Sequence, residues 1–173
     1  MIELPPNWKS VKLGQLCEMT SGGTPSRKIT SNFGGKIPWV KSGELTGKTI
    51  FETEEYISKE GLRNSSAKIF PKGTILVALY GATIGKLAFL GVDAATNQAI
   101  CGIFQNTAYS PSYLYYFLFF ERPRLIKKGI GGAQPNISQT ILKELVIPLP
   151  PLPEQHRIVA KIEALFSLLD AGV

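Results

Sequence analysis

The sequence is poor in the residues from which active sites and metal sites are usually built. Its 173 residues include one histidine and two cysteines. The cysteines, Cys17 and Cys101, stand alone, without the CxxC or Cys/His spacing that binds a metal. His156 falls in a predicted helix with no nucleophile beside it, and the sequence has no GxSxG or HExxH motif. We therefore predict two buried, reduced thiols, no metal, no cofactor and no catalytic residue.

The segment GATIGK, residues 81–86, comes closest to a nucleotide-binding motif. A Walker phosphate-binding loop has four residues between its glycines and a Ser or Thr after its lysine. Here three residues separate Gly81 from Gly85, and Leu87 follows Lys86, so the hydroxyl that would bind magnesium is missing. We interpret the segment as a turn between two buried strands that leaves Lys86 available to a partner.

Long hydrophobic runs are also missing. The longest aromatic and apolar run, YLYYFLFF at residues 113–120, is far shorter than the ~18 residues of a membrane span. The first ten residues, MIELPPNWKS, lack the basic start and apolar stretch of a signal peptide. The sequence therefore predicts a cytoplasmic protein that contacts no membrane.

Acidic residues are in the minority, and the basic excess has a definite place. Residues 1–128 contain 16 Lys and Arg against nine Asp and Glu, whereas residues 129–173 contain three against four. The acidic run at Glu52, Glu54 and Glu55 is interpreted as a solvated loop. A basic globular part with a sequence pI of about 9.3 favours a polyanion partner such as nucleic acid.

The order of predicted elements indicates a mixed fold. Ser110 and Pro111 suit the start of a long helix, the first as a cap and the second at the first helical position. Because strands and helices do not alternate regularly, we predict an α+β (mixed α/β) fold with a mixed sheet. Strands are predicted at residues 11–16, 37–40, 49–51 and 145–149 and within 72–104, and helices at 58–64, within 110–129 and at 138–144.

The chain ends in a proline-rich strap followed by a helix, IPLPPLPEQHRIVAKIEALFSLLD at residues 147–170. Pro153 suits a first helical position, and Glu154 suits the helix N-terminus. The PxxP spacing also fits a ligand of an SH3-type groove, but a stiff connector is favoured because a helix follows at once. We predict a recognition domain at residues 1–150 and a coiled-coil-type spacer or dimerisation helix at residues 151–173. Its helix-pairing seam, with spacings of four, three and four, is Ile158, Ile162, Leu165 and Leu169.

Several loops carry side chains that can read nucleic acid. Asn and Gln can bond the edge of adenine, Arg and Lys can bond guanine, and small hydroxyls and Lys suit phosphates. Each loop alone is better explained as a simple turn, but four such loops together on a basic body predict a DNA-facing surface. Its candidate residues are Thr24, Ser26, Arg27, Lys28, Lys41, Ser42, Tyr80, Lys86, Asn97, Gln98, Gln134 and Asn136.

The segment GGAQPNISQTILKELVIPLPPLPEQHRIVAKIEALFSLLD resembles the conserved region of specificity subunits of Type I restriction–modification systems. The blocks GGTPS, IPWVKSGEL, GTILVALYGATIGKLAFLG and TNQAI resemble a target recognition domain of that family. The resemblance implies a non-catalytic subunit that binds double-stranded DNA and directs methyltransferase (modification) subunits and, through the complex, a restriction subunit. In that family two recognition domains are separated by two long helices whose length sets the distance between DNA half-sites.

One recognition domain and one helix match, so the resemblance implies a half-subunit or a fragment. A half-subunit would form a homodimer through its C-terminal helix. Two interpretations from other classes stay open at this point. One is a protein-interaction adaptor that uses the strap and helix, and the other is an enzyme with a scattered active site. The sequence alone predicts neither the DNA target nor which loop residues contact bases and which contact phosphates.

Overall fold

The fold is described by a computed structural model over residues 4–46, 49–128 and 136–172. The strands are β1 Lys9–Lys12, β2 Met19–Ser21, β3 Phe33–Val40, β4 Thr49–Ile50, β5 Glu55–Ile57, β6 Ile69–Phe70, β7 Ile75–Ala78, β8 Leu87–Leu90, β9 Ala94–Thr96, β10 Ile100–Ile103 and β11 Val146–Leu149. The helices are α1 Leu13–Leu16, α2 Lys59–Arg63, α3 Pro111–Lys128, α4 Gln139–Lys143 and α5 Leu152–Asp170, with 3-10 turns at Thr30–Asn32, Ser42–Glu44 and Gly81–Thr83.

The strands form two main sheets and one short ribbon. The five-stranded sheet has the order β2-β10-β7-β8-β4, the four-stranded sheet has the order β5-β3-β9-β6, and β1 pairs with β11. Strand β4 is parallel to β8 and β3 is parallel to β9, while the other paired strands are antiparallel. The predicted α+β fold with mixed sheets is therefore confirmed.

Strand β7 lies at the centre of the core and is buried on both faces. Ile75 and Val77 pack in the cluster that contains helix α3, whereas Leu76 and Ala78 pack in the cluster of the opposite face. A strand covered on both faces is read as a continuous apolar run, which is why this region was predicted as buried strand. The 3-10 turn at Gly81–Thr83 joins β7 to β8, so the predicted turn at GATIGK is also confirmed.

Both cysteines are buried and free, as predicted. Burial raises the pKa of the Cys17 thiol and of the Cys101 thiol to about 12. A thiol with such a pKa holds almost no thiolate at neutral pH, so neither cysteine is a reactive nucleophile.

The strand predicted at residues 11–16 is wrong from Leu13 onward. Strand β1 ends at Lys12, and residues 13–16 form the single helical turn α1. The distant strand β11 sets this boundary, since it pairs with β1 up to Lys12 and the N–H of Leu13 then donates to the carbonyl of Leu145 at 2.8 Å. Leu13 is fully buried, which turns the chain inward at that residue.

The strap and the start of α5 are fastened to the beginning of helix α3. The side chain of Gln155 is buried, where its Oε1 accepts from the Ser110 N–H at 2.7 Å and its Nε2 donates to the Pro150 carbonyl at 2.8 Å. The Tyr113 hydroxyl donates to the Pro148 carbonyl at 2.5 Å. The strap is therefore a fixed connector, and the direction of α5 is set by hydrogen bonds as well as by prolines.

The predicted seam of α5 divides between two environments. Ile158 and Ile162 are half-buried and pack against the core of the same chain, beside the buried Val159 and the half-buried Phe166. Leu165 and Leu169 are 49% and 68% exposed. The first half of the predicted seam therefore packs on α3 of the same chain, and its second half is left exposed. The predicted domain division at residues 150 and 151 stays a prediction.

Across the described ranges, no helix is both long and apolar enough to cross a membrane.

Candidate nucleic-acid interface

Loops from both main sheets meet at one end of the fold, which we call the loop end. In the five-stranded sheet, the antiparallel pairs Cys101↔Ser21, Ile100↔Ala78 and Val77↔Leu87 place the carboxyl ends of β2 and β7 beside the amino ends of β10 and β8. In the other sheet, β3 and β9 are parallel, so their carboxyl ends lie side by side. The segments that meet there are residues 22–28, 41–44, 79–86 and 97–99.

Backbone hydrogen bonds join these segments to one another. They run from Gly23 N–H to the Thr96 carbonyl (2.9 Å), from Asn97 N–H to Val40 (2.9 Å), from Leu79 N–H to Ala99 (2.7 Å) and from Ile137 N–H to Leu79 (2.7 Å). Main-chain pairing alone thus brings candidate residues that are up to 112 positions apart, Thr24 and Asn136, to neighbouring loops.

Tyr80 and Asn136 are brought together directly. They form an isolated antiparallel bridge between the segment after β7 and the segment before α4. Tyr80 is half-buried and Asn136 is exposed. Gln134, the other carboxamide predicted in this loop, lies outside the described residues.

The glycine turn at residues 22–23 is tightly packed. A Cβ at Gly22 would lie 2.1 Å from Thr96 Oγ1, and one at Gly23 would lie 2.3 Å from the Ala67 backbone nitrogen. The Trp39 indole N–H donates to the Gly23 carbonyl at 3.0 Å. Only glycine fits at these two positions, because any side chain would separate the turn from its neighbours.

The polar tip of the loop end is formed by residues from two segments. The Thr24 hydroxyl donates to Oε1 of Gln98, and both residues are exposed. Asn97 is half-buried, and its Oδ1 accepts from the Ala99 N–H at 3.1 Å, so this side chain shapes the turn that presents Gln98. Ser26 and Lys28 are exposed on the neighbouring segment.

Arg27 is engaged within the fold. Its guanidinium binds the Glu55 carboxylate through two hydrogen bonds of 2.6 and 3.0 Å. It also lies 4.4 Å from the ring centroid of Phe33 and 5.4 Å from that of Trp39. A planar cation held by a carboxylate and by aromatic rings fixes the loop that contains it.

Lys41 joins the same acidic group. Its ammonium lies 2.7 Å from a Glu54 oxygen and 3.0 Å from a Glu55 oxygen. The hydrogen bond from Arg27, with a further contribution from Lys41, lowers the pKa of Glu55 to about 2. The interpretation of this acidic run as a merely solvated loop is therefore wrong, since Glu54 and Glu55 neutralise two of the predicted DNA-facing cations. Ser42 follows Lys41 and begins a 3-10 turn.

Two cations of the loop end were not among the sequence candidates. The Lys68 ammonium donates to the Thr20 hydroxyl at 3.0 Å, and the segment that precedes it packs against Gly23. Arg122 of α3 donates through Nε to the Ile84 carbonyl at 3.2 Å, beside Lys86. The sequence does not single them out, because Lys68 lies just before β6 and Arg122 lies within α3, and only the packing of the fold brings them to the loop end.

Comparison with known proteins gives one family. The model of the Type I restriction modification DNA specificity domain matches residues 5–171. The chain is 31% identical to the Type I restriction enzyme MjaIX specificity subunit of Methanocaldococcus jannaschii, covering 97% of this chain and 40% of that protein. It is 27% identical to the EcoR124I/EcoR124II specificity subunit of Escherichia coli, covering 95% and 42%.

The fold is also similar to solved structures. The HsdS subunit from Thermoanaerobacter tengcongensis matches with a TM-score of 0.80 at 22% identity, over 98% of this chain and 40% of that one. The S subunit of a Type I restriction–modification system from M. genitalium matches with a TM-score of 0.66 at 19% identity, over 99% and 42%. The chain thus spans about two fifths of the length of these relatives.

Proposed function

Because the chain belongs to the Type I restriction modification DNA specificity domain family, we propose that it is a non-catalytic module that binds double-stranded DNA in a sequence-specific way. The observation that carries the proposal is the convergence of the candidate loops at one end of two sheets. A single surface with exposed carboxamides, hydroxyls and cations can follow one face of a duplex and contact base edges and phosphates together.

The structure supports a division of roles among the candidate residues. Exposed Gln98 and Asn136 are proposed to contact base edges, because a carboxamide can donate and accept at adenine. Hydroxyls and unpaired cations are proposed to contact phosphates. Arg27, Lys41 and Asn97 are proposed to hold the loops in place, since their side chains are bonded to carboxylates or to the backbone of the fold. The phosphate group comprises Thr24, Ser26, Lys28, Ser42 and Lys86, with Tyr80 beside Asn136, and Gln134 stays a predicted base contact.

The first test is the salt dependence of binding to duplex DNA. Each phosphate contact contributes a slope of about −0.9 to the log–log plot of affinity against salt, so ~4–6 contacts give a steep fall. We expect weak binding at low salt that disappears as salt rises, measured by fluorescence anisotropy. Binding that does not depend on salt, or none at low salt, would contradict the proposal and would favour an adaptor that works through its strap and helix.

A second test separates base contacts from phosphate contacts. Gln98→Ala should cost ~1–3 kcal/mol on the preferred sequence and little on others, because a carboxamide bound to a base carries sequence information. Lys28→Ala should weaken all sequences alike and flatten the salt slope by about one unit. Selection of preferred sites from a randomised duplex pool measures both effects. The control is Lys143→Ala, which removes an exposed cation of α4 that is not among the candidate residues. Unchanged preference in Gln98→Ala would remove Gln98 from the reading surface.

The partners proposed for the chain are DNA, modification subunits, a restriction subunit through the complex, and a second helix that covers α5. An apolar groove with a volume of about 180 Å³ runs between α3 and α5. Phe120, which is 58% exposed, and the half-buried Ile158 and Ile162 line this groove. Leu165 and Leu169 continue the apolar surface along α5. A helix from a second copy of this chain, or from the remainder of a longer subunit, would bury this surface.

A further inference from the structure

A cavity with two cations opens beside the loop end. It has a volume of about 350 Å³ and lies between the segment after β7 and helix α3. Lys86 and Arg122 line it together with Thr46 and the aromatic rings of Tyr115 and Phe119. This volume is sufficient for a small polar group and part of the molecule that carries it.

The guanidinium of Arg122 is held in place before any ligand arrives. Its Nε donates to the Ile84 carbonyl at 3.2 Å. Gly85 has a φ of +70°, and a Cβ at this position would lie 2.8 Å from Arg122 Cγ. Glycine thus allows both the left-handed turn and the passage of the arginine side chain across it. Because Arg has five N–H donors, this arrangement leaves others for a ligand in the cavity.

The positive charge of the cavity is not neutralised within the fold. Over residues 4–46, 49–128 and 136–172, neither Lys86 nor Arg122 forms an ion pair with a carboxylate, and the residues that line the cavity include no acidic side chain. Arg27 and Lys41, in contrast, are both paired with Glu55. The cavity therefore keeps a positive charge that suits an anion, unlike the site of Arg27 and Lys41.

We propose that this cavity binds one phosphodiester group of the DNA backbone, next to the bases that the loop end contacts. The proposal rests on the proposed function of DNA binding. A guanidinium can donate two hydrogen bonds to the two non-bridging oxygens of a phosphate, and the Lys86 ammonium supplies a second charge. The Thr46 hydroxyl is a third donor, and the rings of Tyr115 and Phe119 offer an apolar wall for the deoxyribose. The phosphate would fix the register of the duplex over Tyr80 and Gln98.

The experiment compares Lys86→Ala and Arg122→Gln with the control Lys127→Ala, which removes an exposed cation from the last turn of α3. Binding to a mixed-sequence duplex and to the selected preferred duplex is measured over a range of salt concentrations. Each cavity variant should lose about tenfold in affinity on both duplexes and about one unit of salt slope, with its sequence preference unchanged. The Lys127→Ala variant should lose markedly less.

Three results would overturn the proposal. The first is wild-type salt-dependent binding with cavity variants that behave like Lys127→Ala, which rejects the cavity and leaves the proposed function standing. The second is no DNA binding by the wild-type chain, which rejects both. The third comes from replacing chloride with inorganic phosphate at equal ionic strength. A loss of DNA binding that is specific to the wild type is the expected result, because free phosphate would compete with DNA for the cavity, and an equal effect on the wild type and the cavity variants would contradict the proposal.

The two cavity variants together distinguish a loss of DNA binding from a loss of folding. Arg122→Gln removes a hydrogen bond to the Ile84 carbonyl, so its melting temperature is measured beside that of the wild type. Lys86 contributes to the turn through its backbone, with its N–H bonded to Thr83 and its carbonyl to Ala78. Lys86→Ala keeps these bonds. If Arg122→Gln is destabilised, the result from Lys86→Ala decides.

Discussion

Replacing Gln155 with alanine should lower the free energy of unfolding by ~2–4 kcal/mol, a large share of the stability of a domain of this size. The substitution leaves the Ser110 N–H and the Pro150 carbonyl without their partner in the interior. A buried polar group that loses its hydrogen bond costs ~1–3 kcal/mol, and here two are affected at once. Chemical denaturation of the wild type and the variant measures the difference.

The neighbouring position provides the control for this prediction. His156 is exposed on the same turn of α5, so His156→Ala should change stability by less than ~0.5 kcal/mol. A third variant, Gln155→Glu, keeps an acceptor for the Ser110 N–H but, when ionised, cannot donate to Pro150. Burial raises the pKa of such a carboxyl in the folded state, so its stability should be greater at low pH and should be lost as pH rises through that pKa. Equal losses of stability in Gln155→Ala and His156→Ala would show that the two hydrogen bonds of Gln155 do not stabilise the fold.

Charging the exposed part of α5 should abolish self-association. If two copies pair through this helix, Leu165→Asp with Leu169→Asp removes four buried leucines from a two-fold interface. Burying each is worth ~1.5–3 kcal/mol, so association should weaken by at least about a hundredfold. Ile162 is a poor probe because it also packs against the core of its own chain. Leu165 and Leu169 are largely exposed, so the fold should keep its melting temperature.

Sedimentation of the chain at ~100 μM measures this association, since a micromolar dimer is nearly complete at that concentration. Ala164→Asp adds one such charge to another exposed position of α5 and should leave the dimer intact. A wild-type chain that sediments as a monomer would refute self-pairing. The helix that covers α5 would then come from another chain or from a longer subunit. A dimer, in contrast, implies a split target with two identical half-sites, because identical domains bind identical sequences.

The direction of α5 connects these two predictions. Gln155 and Tyr113 fix the strap to α3, and the first half of α5 then packs along the same helix. The second half leaves the domain with Leu165 and Leu169 exposed. A helix that is fixed at its start and leaves an apolar surface exposed at its end suits the proposed role of a spacer between two DNA-binding units.

The sequence alone determined those elements of the fold whose signals are local. The long helix α3, the final helix and the turn at Gly81–Thr83 follow from proline positions, apolar periodicity and glycine spacing. These patterns act between residues a few positions apart, so they are visible without a fold. The types of side chain in the candidate loops are also known from the sequence, because they do not depend on the fold.

The tertiary structure decided which of these side chains are available to a ligand and which are already bonded within the fold. Arg27 meets Glu55 across 28 positions, Arg122 meets Ile84 across 38, and Gln155 meets Ser110 across 45. Each contact depends on strand order or helix packing, which bring distant segments together and leave no periodic trace in the sequence. The loops also converge only because β2, β10, β7 and β8 alternate in direction. Sequence thus determined the chemical inventory of the surface, and strand pairing and burial determined its arrangement, because long-range hydrogen bonds and ion pairs form only once the chain has folded.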